Sequence, residues 1–119
     1  MDKIGIGLLG EKIAFKLLSK KGYTILQKNY KTTFGEIDLI ALENNNLVFI
    51  EVKTRTGLDF GQPYESVSKR KLHQIQKAGQ IYSLKNPKLP KSLRIDVVSI
   101  LLSPSFEVST FEILKNANG

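Results

Sequence analysis

The sequence predicts an α/β fold in which helices flank one mixed β-sheet, with elements in the order αβββαββ. Two segments with apolar residues at three- and four-residue spacing supply the helices. Five shorter segments rich in β-branched and apolar residues supply the strands, and clusters of Gly, Pro and Asn separate them. A chain of 119 residues is long enough for one core that buries about two-thirds of the unfolded surface. One domain over residues 1–114 is expected, with 115–119 as a flexible C-terminal tail.

Ile4 to Lys21 carries Leu8, Ile13, Ala14, Leu17 and Leu18 at helical spacing, sets Lys12, Lys16 and Lys20 on another face, and ends at Gly22. Tyr23 to Lys31 alternates as a strand. Glu36 to Leu42 and Leu47 to Thr54 alternate more strongly, and Asn44-Asn45-Asn46 between them makes the pair a hairpin. Arg55 to Tyr64 contains Gly57, Gly61 and Pro63 and reads as a loop, ordered or mobile. Ser66 to Asn86 sets Leu72, Ile75, Gly79 and Tyr82 on one side of a second helix. Beyond Pro87 and Pro90, Leu93 to Leu102 and Phe106 to Leu114 are the last two strands.

Composition removes whole classes of chemistry. There is no Cys, which excludes thiolate zinc, iron–sulfur, dithiol redox and cysteine-nucleophile sites. The single His73 excludes a zinc site of several imidazoles, and its setting beside Lys69-Arg70-Lys71 is a poor one for a Ser-His-Asp triad. Carboxylates, lysines and hydroxyls remain, with any hard cation that carboxylates hold. The net charge of +7 points to a polyanionic partner, nucleic acid or an anionic membrane. The longest apolar runs, Leu47 to Ile50 and Val97 to Leu102, are far below the roughly 18 residues of a membrane span. No secretory signal is predicted from Met1 to Lys12, so the cytoplasm is the expected compartment and no membrane partner is expected.

Gly5-Ile6-Gly7-Leu8-Leu9-Gly10 matches the dinucleotide fingerprint, but only four residues precede Gly5 and no acidic residue stands near the ribose-binding position. The glycines are read instead as allowing the first helix to approach the sheet closely.

The informative segment is the hairpin Gly35-Glu36-Ile37-Asp38-Leu39-Ile40-Ala41 and Phe49-Ile50-Glu51-Val52-Lys53-Thr54-Arg55. A two-residue turn on Asn44-Asn45, where Asn tolerates positive φ, makes opposed residue numbers sum to 89. Asp38 then faces Glu51, and Glu36 faces Lys53. All four side chains share one patch, while Ile37, Leu39, Ile50 and Val52 line the other face. Like charges directly opposed destabilise a sheet, so Asp38 and Glu51 call for a cation between them. Lys53 supplies one positive charge and a divalent metal would supply more.

Glu11 falls in line with Ile4, Phe15 and Leu18, inside an apolar stripe of the first helix. An unpaired carboxylate facing a core is costly, so its expected use is to point at the same cation. Asp, Glu, a backbone carbonyl and water are the ligand set of Mg²⁺ or Mn²⁺, and lysine beside them suits metal-assisted phosphodiester hydrolysis. Spacing alone leaves a second reading open, a solvated hairpin with weak surface pairs Glu36–Lys53 and Glu51–Lys53. What separates the two is that Glu51 and Lys53 interrupt an apolar run in a strand flanked by others on both sides.

Asp38 followed by Glu51-Val52-Lys53 resembles the D…(D/E)xK core of the PD-(D/E)XK nuclease superfamily, the restriction-endonuclease-like fold, with Ile37 where the superfamily has Pro. More narrowly, Gly10-Glu11, the two hairpin strings and Arg94-Ile95-Asp96-Val97-Val98 look like the YraN-like family of small bacterial proteins, related in fold to archaeal-type Holliday junction resolvases. The resemblance covers about residues 5 to 102. It implies a Mg²⁺- or Mn²⁺-dependent endonuclease acting on DNA, branched or otherwise structured, and a homodimer. It places the metal on Asp38 and Glu51, the lysine role on Lys53 and the helix-one acid on Glu11; the Val52 carbonyl is expected to complete the metal ligands, with Glu36 as an auxiliary.

Lys69, Arg70, His73 and Lys77 fall on one side of the second helix, with Gln76 and Gln80 beside them, and suit a phosphate backbone; a solvated face is the plain alternative for each. Arg55, just beyond Lys53, is the better phosphate contact. Asp96 is expected to be a structural partner for a lysine or a backbone amide. Two other function classes stay open: a non-catalytic nucleic-acid-binding module on the same fold, and a protein-interaction domain whose basic surface only solubilises it.

Overall fold

Alternating apolar residues in the middle of the chain build a five-stranded sheet in the computed structural model, which describes residues 1–57 and 61–118. The elements are α1 (Lys3–Lys20), β1 (Thr24–Thr32), β2 (Gly35–Glu43), β3 (Asn46–Arg55), a 3-10 turn at Pro63–Ser66, α2 (Lys69–Lys85), β4 (Leu93–Leu102) and β5 (Val108–Leu114). Strands lie in the order β1-β2-β3-β4-β5. Only β3 and β4 are parallel, and α2 lies in the crossover between them, so the sheet is mixed as expected.

Side chains satisfy the helix starts. Asp2 Oδ1 accepts from the Gly5 N–H at 2.8 Å, and Ser68 Oγ accepts from the Lys71 N–H at 3.1 Å. The second helix therefore begins at Lys69, later than Ser66, because Pro63–Ser66 form their own 3-10 turn before Ser68 caps α2. The last strand begins at Val108 because Phe106, at φ 65°, closes a turn onto Ser103. Of the expected loop from Arg55 to Tyr64, residues 58–60 lie outside the described residues.

Helices cover both faces. Val48 and Ile50 pack with Ala14 and Leu18 of α1, whereas Leu47 and Phe49 pack with Ile75, Ala78 and Tyr82 of α2. A Cβ on Gly10 would collide with Thr54, and one on Gly79 with the Phe49 ring, so each helix rests its backbone on the sheet at a glycine. Close approach through Gly5 and Gly7 does not occur: Gly7 faces open space and Gly5 meets only Met1 and Asp2.

α1 buries its narrow side, Gly10, Ala14 and Leu18. Of the stripe that holds Glu11, Leu18 faces the core as expected but Ile4 and Phe15 turn outward, 75% and 36% exposed, and Leu8 beside them is 60% exposed. The small residues at 10 and 14 bring the helix down on that ridge and rotate the larger side chains away.

The β2–β3 hairpin has the expected register, Leu39↔Ile50 through Glu43↔Asn46, each pair summing to 89, with Asn44 at φ 54° in the turn. Alternation does not continue unbroken into the site. Ile37 packs with Ile40 on the α2 side and not with Leu39, which lies on the α1 side. The alternation breaks at Asp38 and at Asn29 of β1, whose φ is 51° and which lies between the pairs Lys28↔Leu39 and Tyr30↔Ile37, while the register of this pair of strands shifts elsewhere, between Ile25 and Gln27.

Asp96, fully buried, accepts from Tyr23 Oη at 2.8 Å, Arg94 Nε and Nη2 at 2.9 Å, and the Asn116 N–H at 3.1 Å. It is a structural partner as expected, through the Asn116 backbone amide, and the cation beside it is an arginine. Arg94 and Lys115 also reach Glu43 at 2.6 and 2.7 Å. Burial alone would raise the Glu43 carboxyl, but these two hydrogen bonds outweigh it and hold it below the usual range. Residues 115–118, read as the start of a tail, thus make contacts with the sheet, including Ala117 N–H to the Ile95 carbonyl at 2.8 Å. Among the described residues, no helix is long and apolar enough to cross a membrane.

Candidate active site at the fork between β2 and β3

The ladder between β2 and β3 ends at Leu39↔Ile50. Beyond it β3 keeps only its pairing with β4, from Glu51↔Val97 to Arg55↔Leu101, and β2 only its pairing with β1, as in Lys31↔Glu36. The sheet forks there, and Asp38 and Glu51 stand at the fork. The Val52 N–H, no longer paired with β2 backbone, donates to Asp38 Oδ2 at 2.8 Å.

Glu51 follows Phe49 on the α2 side of β3 and is only 4% exposed. Its carboxylate is in hydrogen-bonding contact with Asp38. Burial, that contact and the like charge push the Asp38 carboxyl up to about 8, against the opposing pull of the Val52 N–H and of Lys71. In the absence of a cation the arrangement favours a proton held at Asp38.

The other candidates are distributed around this pair. The nearest cation to Glu51 is Lys71 of α2, with Nζ 3.7 Å from Oε2, and not Lys53. Lys53 pairs with Ser99 along β4 and makes no ion pair among the described residues. With Arg55, Lys3, Thr54 and Thr56 it lines a cavity of about 440 Å³. Glu36 is opposite Lys31, not Lys53, because the fork takes β3 away from β2. Glu11 accepts from Asn29 Nδ2 at 3.1 Å. Burial raises the Glu11 carboxyl, and Asp38 and Glu36 push it the same way, so it lies within electrostatic reach of the fork without joining the pair. Lys69, Arg70, His73, Lys77 and Gln80 are exposed on α2 as expected, with Lys77 Nζ 5.2 Å from the Phe34 ring centroid.

Two residues escaped the sequence reading. Lys71 precedes Ile75, Ala78, Gly79 and Tyr82 by four, seven, eight and eleven residues, which is the buried face of α2, and that spacing was available as a signal. Asn29 has no such signal, since a left-handed residue inside a strand leaves no mark in hydrophobic periodicity.

Among the described residues no three His, Cys, Asp or Glu side chains gather into a metal cluster. The donors that do meet, two carboxylates beside the Val52 backbone, are all oxygen, and Mg²⁺ characteristically binds through one or two carboxylates while keeping several waters. Two opposed carboxylates in a buried setting also need positive charge or a proton. The residues present fit a hard divalent cation.

Residues 10–100 match the model of the uncharacterised protein family UPF0102. The chain belongs to that family. A UPF0102 protein of Dictyoglomus turgidum (strain DSM 6724 / Z-1310) is 49% identical over 98% of this chain and 99% of its own length. Another, from Caldanaerobacter subterraneus subsp. tengcongensis, is 47% identical over 87% of this chain and 85% of its own, and one from Clostridium botulinum (strain 657 / Type Ba4) is 40% identical over 94% and 92%. Every candidate from Glu11 to Gln80 lies inside the span matched to UPF0102.

Proposed function

We propose that this UPF0102 protein is a metal-dependent endonuclease that hydrolyses phosphodiester bonds in DNA, with branched or otherwise structured DNA as its preferred form. The observation that supports it best is the Asp38–Glu51 pair, two carboxylates in contact at a fork in the sheet, one of them 4% exposed. Such a pair lowers the stability of the fold and has a use only when positive charge comes between its members.

Mg²⁺ or Mn²⁺ would be held by Asp38, Glu51 and the Val52 carbonyl, and would supply phosphate polarisation and an acidified water. Val52 contributes through its backbone, leaving its side chain in the α1-side core. Lys53 follows on the same strand and serves to position the attacking water or to stabilise developing charge. Glu11, tied to Asn29, orients water from the α1 side, and Glu36 assists. Arg55 and the exposed Lys69, Arg70 and Lys77 dock the backbone, with Gln80 beside them, so affinity falls steeply with salt. A homodimer would present two such sites to two strands, and a cytoplasmic location accords with a DNA substrate.

The test incubates the protein with linear, single-stranded, flap and four-way-junction DNA in Mg²⁺, Mn²⁺ or EDTA. Metal-dependent cleavage that is lost in Asp38→Asn and Lys53→Ala is the expected result. Salt-sensitive binding without cleavage in any condition would overturn it in favour of a non-catalytic nucleic-acid-binding module.

A further inference from the structure

The outward side of α1 is left largely uncovered by the described residues. Leu8 and Phe15 remain 60% and 36% exposed, and together with the buried Leu39 of β2 they form the apolar walls of a cleft of about 530 Å³. That volume lies within the roughly 300–1,000 Å³ typical of sites for small organic groups. Its polar lining is specific. Asn29 and Glu11 sit side by side, joined by the 3.1 Å hydrogen bond from Asn29 Nδ2, and Lys28 Nζ lies 4.6 Å from the Phe15 ring centroid.

An aromatic face, an amide and carboxyl edge and a cation are what a nucleobase with its attached phosphate requires: stacking surface, hydrogen-bonding edge and counter-charge. Asn29 is also held at φ 51°, a conformation that costs energy and is characteristic of functional positions. It stands across from Asp38, between the paired residues that flank it, so the cleft lies about one strand spacing, roughly 5 Å, from the fork.

We infer that this cleft receives a single unpaired nucleobase, stacked against Phe15 in place of the Lys28 ammonium that lies over the ring and contacted at its edge by Asn29, with the displaced Lys28 meeting the phosphate. The inference rests on the nucleic-acid reading for its choice of ligand, and it explains how that site would favour DNA whose bases are not all paired. A second copy of the chain suits the cleft less well, since a net charge of +7 and the lining residues Lys12 and Lys28 oppose a like surface.

The test titrates ¹⁵N-labelled full-length protein with adenosine 5′-monophosphate and, separately, with ribose 5-phosphate, following backbone amides by NMR. The amides of Leu8, Phe15, Lys28 and Asn29 are expected to shift with the nucleotide, which binds about tenfold more tightly than the base-free sugar phosphate, the scale expected of one base–aromatic stack. Phe15→Ala should remove most of that difference. Asn29→Gly, which keeps the left-handed backbone accessible, should weaken nucleotide binding without unfolding the chain. Equal response to both ligands, no response at these amides, or the same shifts on raising protein concentration alone would overturn the inference, the last by showing that a second copy covers the cleft. Cleavage plays no part in this readout, so the nuclease proposal and the base-site inference can fail separately.

Discussion

The Val52 N–H donates to Asp38 Oδ2 at 2.8 Å, so the strand that carries Glu51 also fixes the carboxylate that opposes it. One hydrogen bond at the fork thereby holds two carboxyl groups together. Lys71, 3.7 Å from Glu51, offsets them only in part.

This geometry makes stability depend on pH. The Asp38 carboxyl is pushed from the usual carboxylate range up to about 8 in the fold, so the folded chain retains a proton that the unfolded chain gives up. The unfolded state binds fewer protons across that window. Metal-free protein is therefore expected to lose stability as pH rises from about 4 to about 8, and Asp38→Asn is expected to be more stable than the parent above pH 8. Urea denaturation at several pH values checks it; identical pH dependence of parent and variant would contradict it.

Cation binding should act in the opposite sense. Mg²⁺ or Mn²⁺ replaces the proton between the carboxylates, so added metal is expected to raise the melting temperature more at pH 8 than at pH 5. At a hundred times the dissociation constant the gain is about 2.7 kcal/mol. Calorimetry with and without EDTA measures it, and Asp38→Asn and Glu51→Gln should abolish it.

Arg94→Met should be among the most damaging changes away from the fork. It leaves the fully buried Asp96 without its ion-pair partner, at a cost of about 3–5 kcal/mol, whereas Arg94→Lys restores charge without the two-pronged contact and rescues it only partly. Equilibrium denaturation of the two variants tests the order.

Two glycines should respond with opposite signs. Gly79→Ala drives a methyl into the Phe49 ring and is expected to cost about 1–3 kcal/mol. Gly7→Ala, inside α1 and facing open space, should stabilise by up to about 1 kcal/mol. Denaturation midpoints decide both.

The hairpin was legible because local rules set it. Asn44 accepts positive φ, the two-residue turn sets every pair to sum to 89, and the alternation of Leu39, Ile40, Ala41 with Val48, Phe49, Ile50 assigns the faces. Those rules stop where the strands part. Glu36 never reaches Lys53 because β3 parts from β2 after Ile50 and keeps only its parallel neighbour β4, a pairing between residues 46 apart in sequence that carries no local mark. The break in alternation at Asn29 and Asp38 was equally hidden, since it moves Ile37 to the other face without altering composition. The stripe of Ile4, Phe15 and Leu18 misled because periodicity identifies an apolar side of a helix, not which part of it a glycine ridge will turn outward, and of the three Leu18 alone is buried. Lys71 was within reach, four residues before Ile75 on the buried face, but read as one more cation in a basic run.

The most direct test of the central claim is the rate at which a labelled four-way DNA junction is cut in Mn²⁺ by the parent and by Glu51→Gln, with both shown to be folded by their melting curves. The expected result is cleavage by the parent that EDTA stops and that Glu51→Gln reduces by at least about a hundredfold. Equal cleavage by the two proteins, or none by the parent on junction, flap, linear and single-stranded DNA alike, would contradict the assignment of the fork as a nuclease centre.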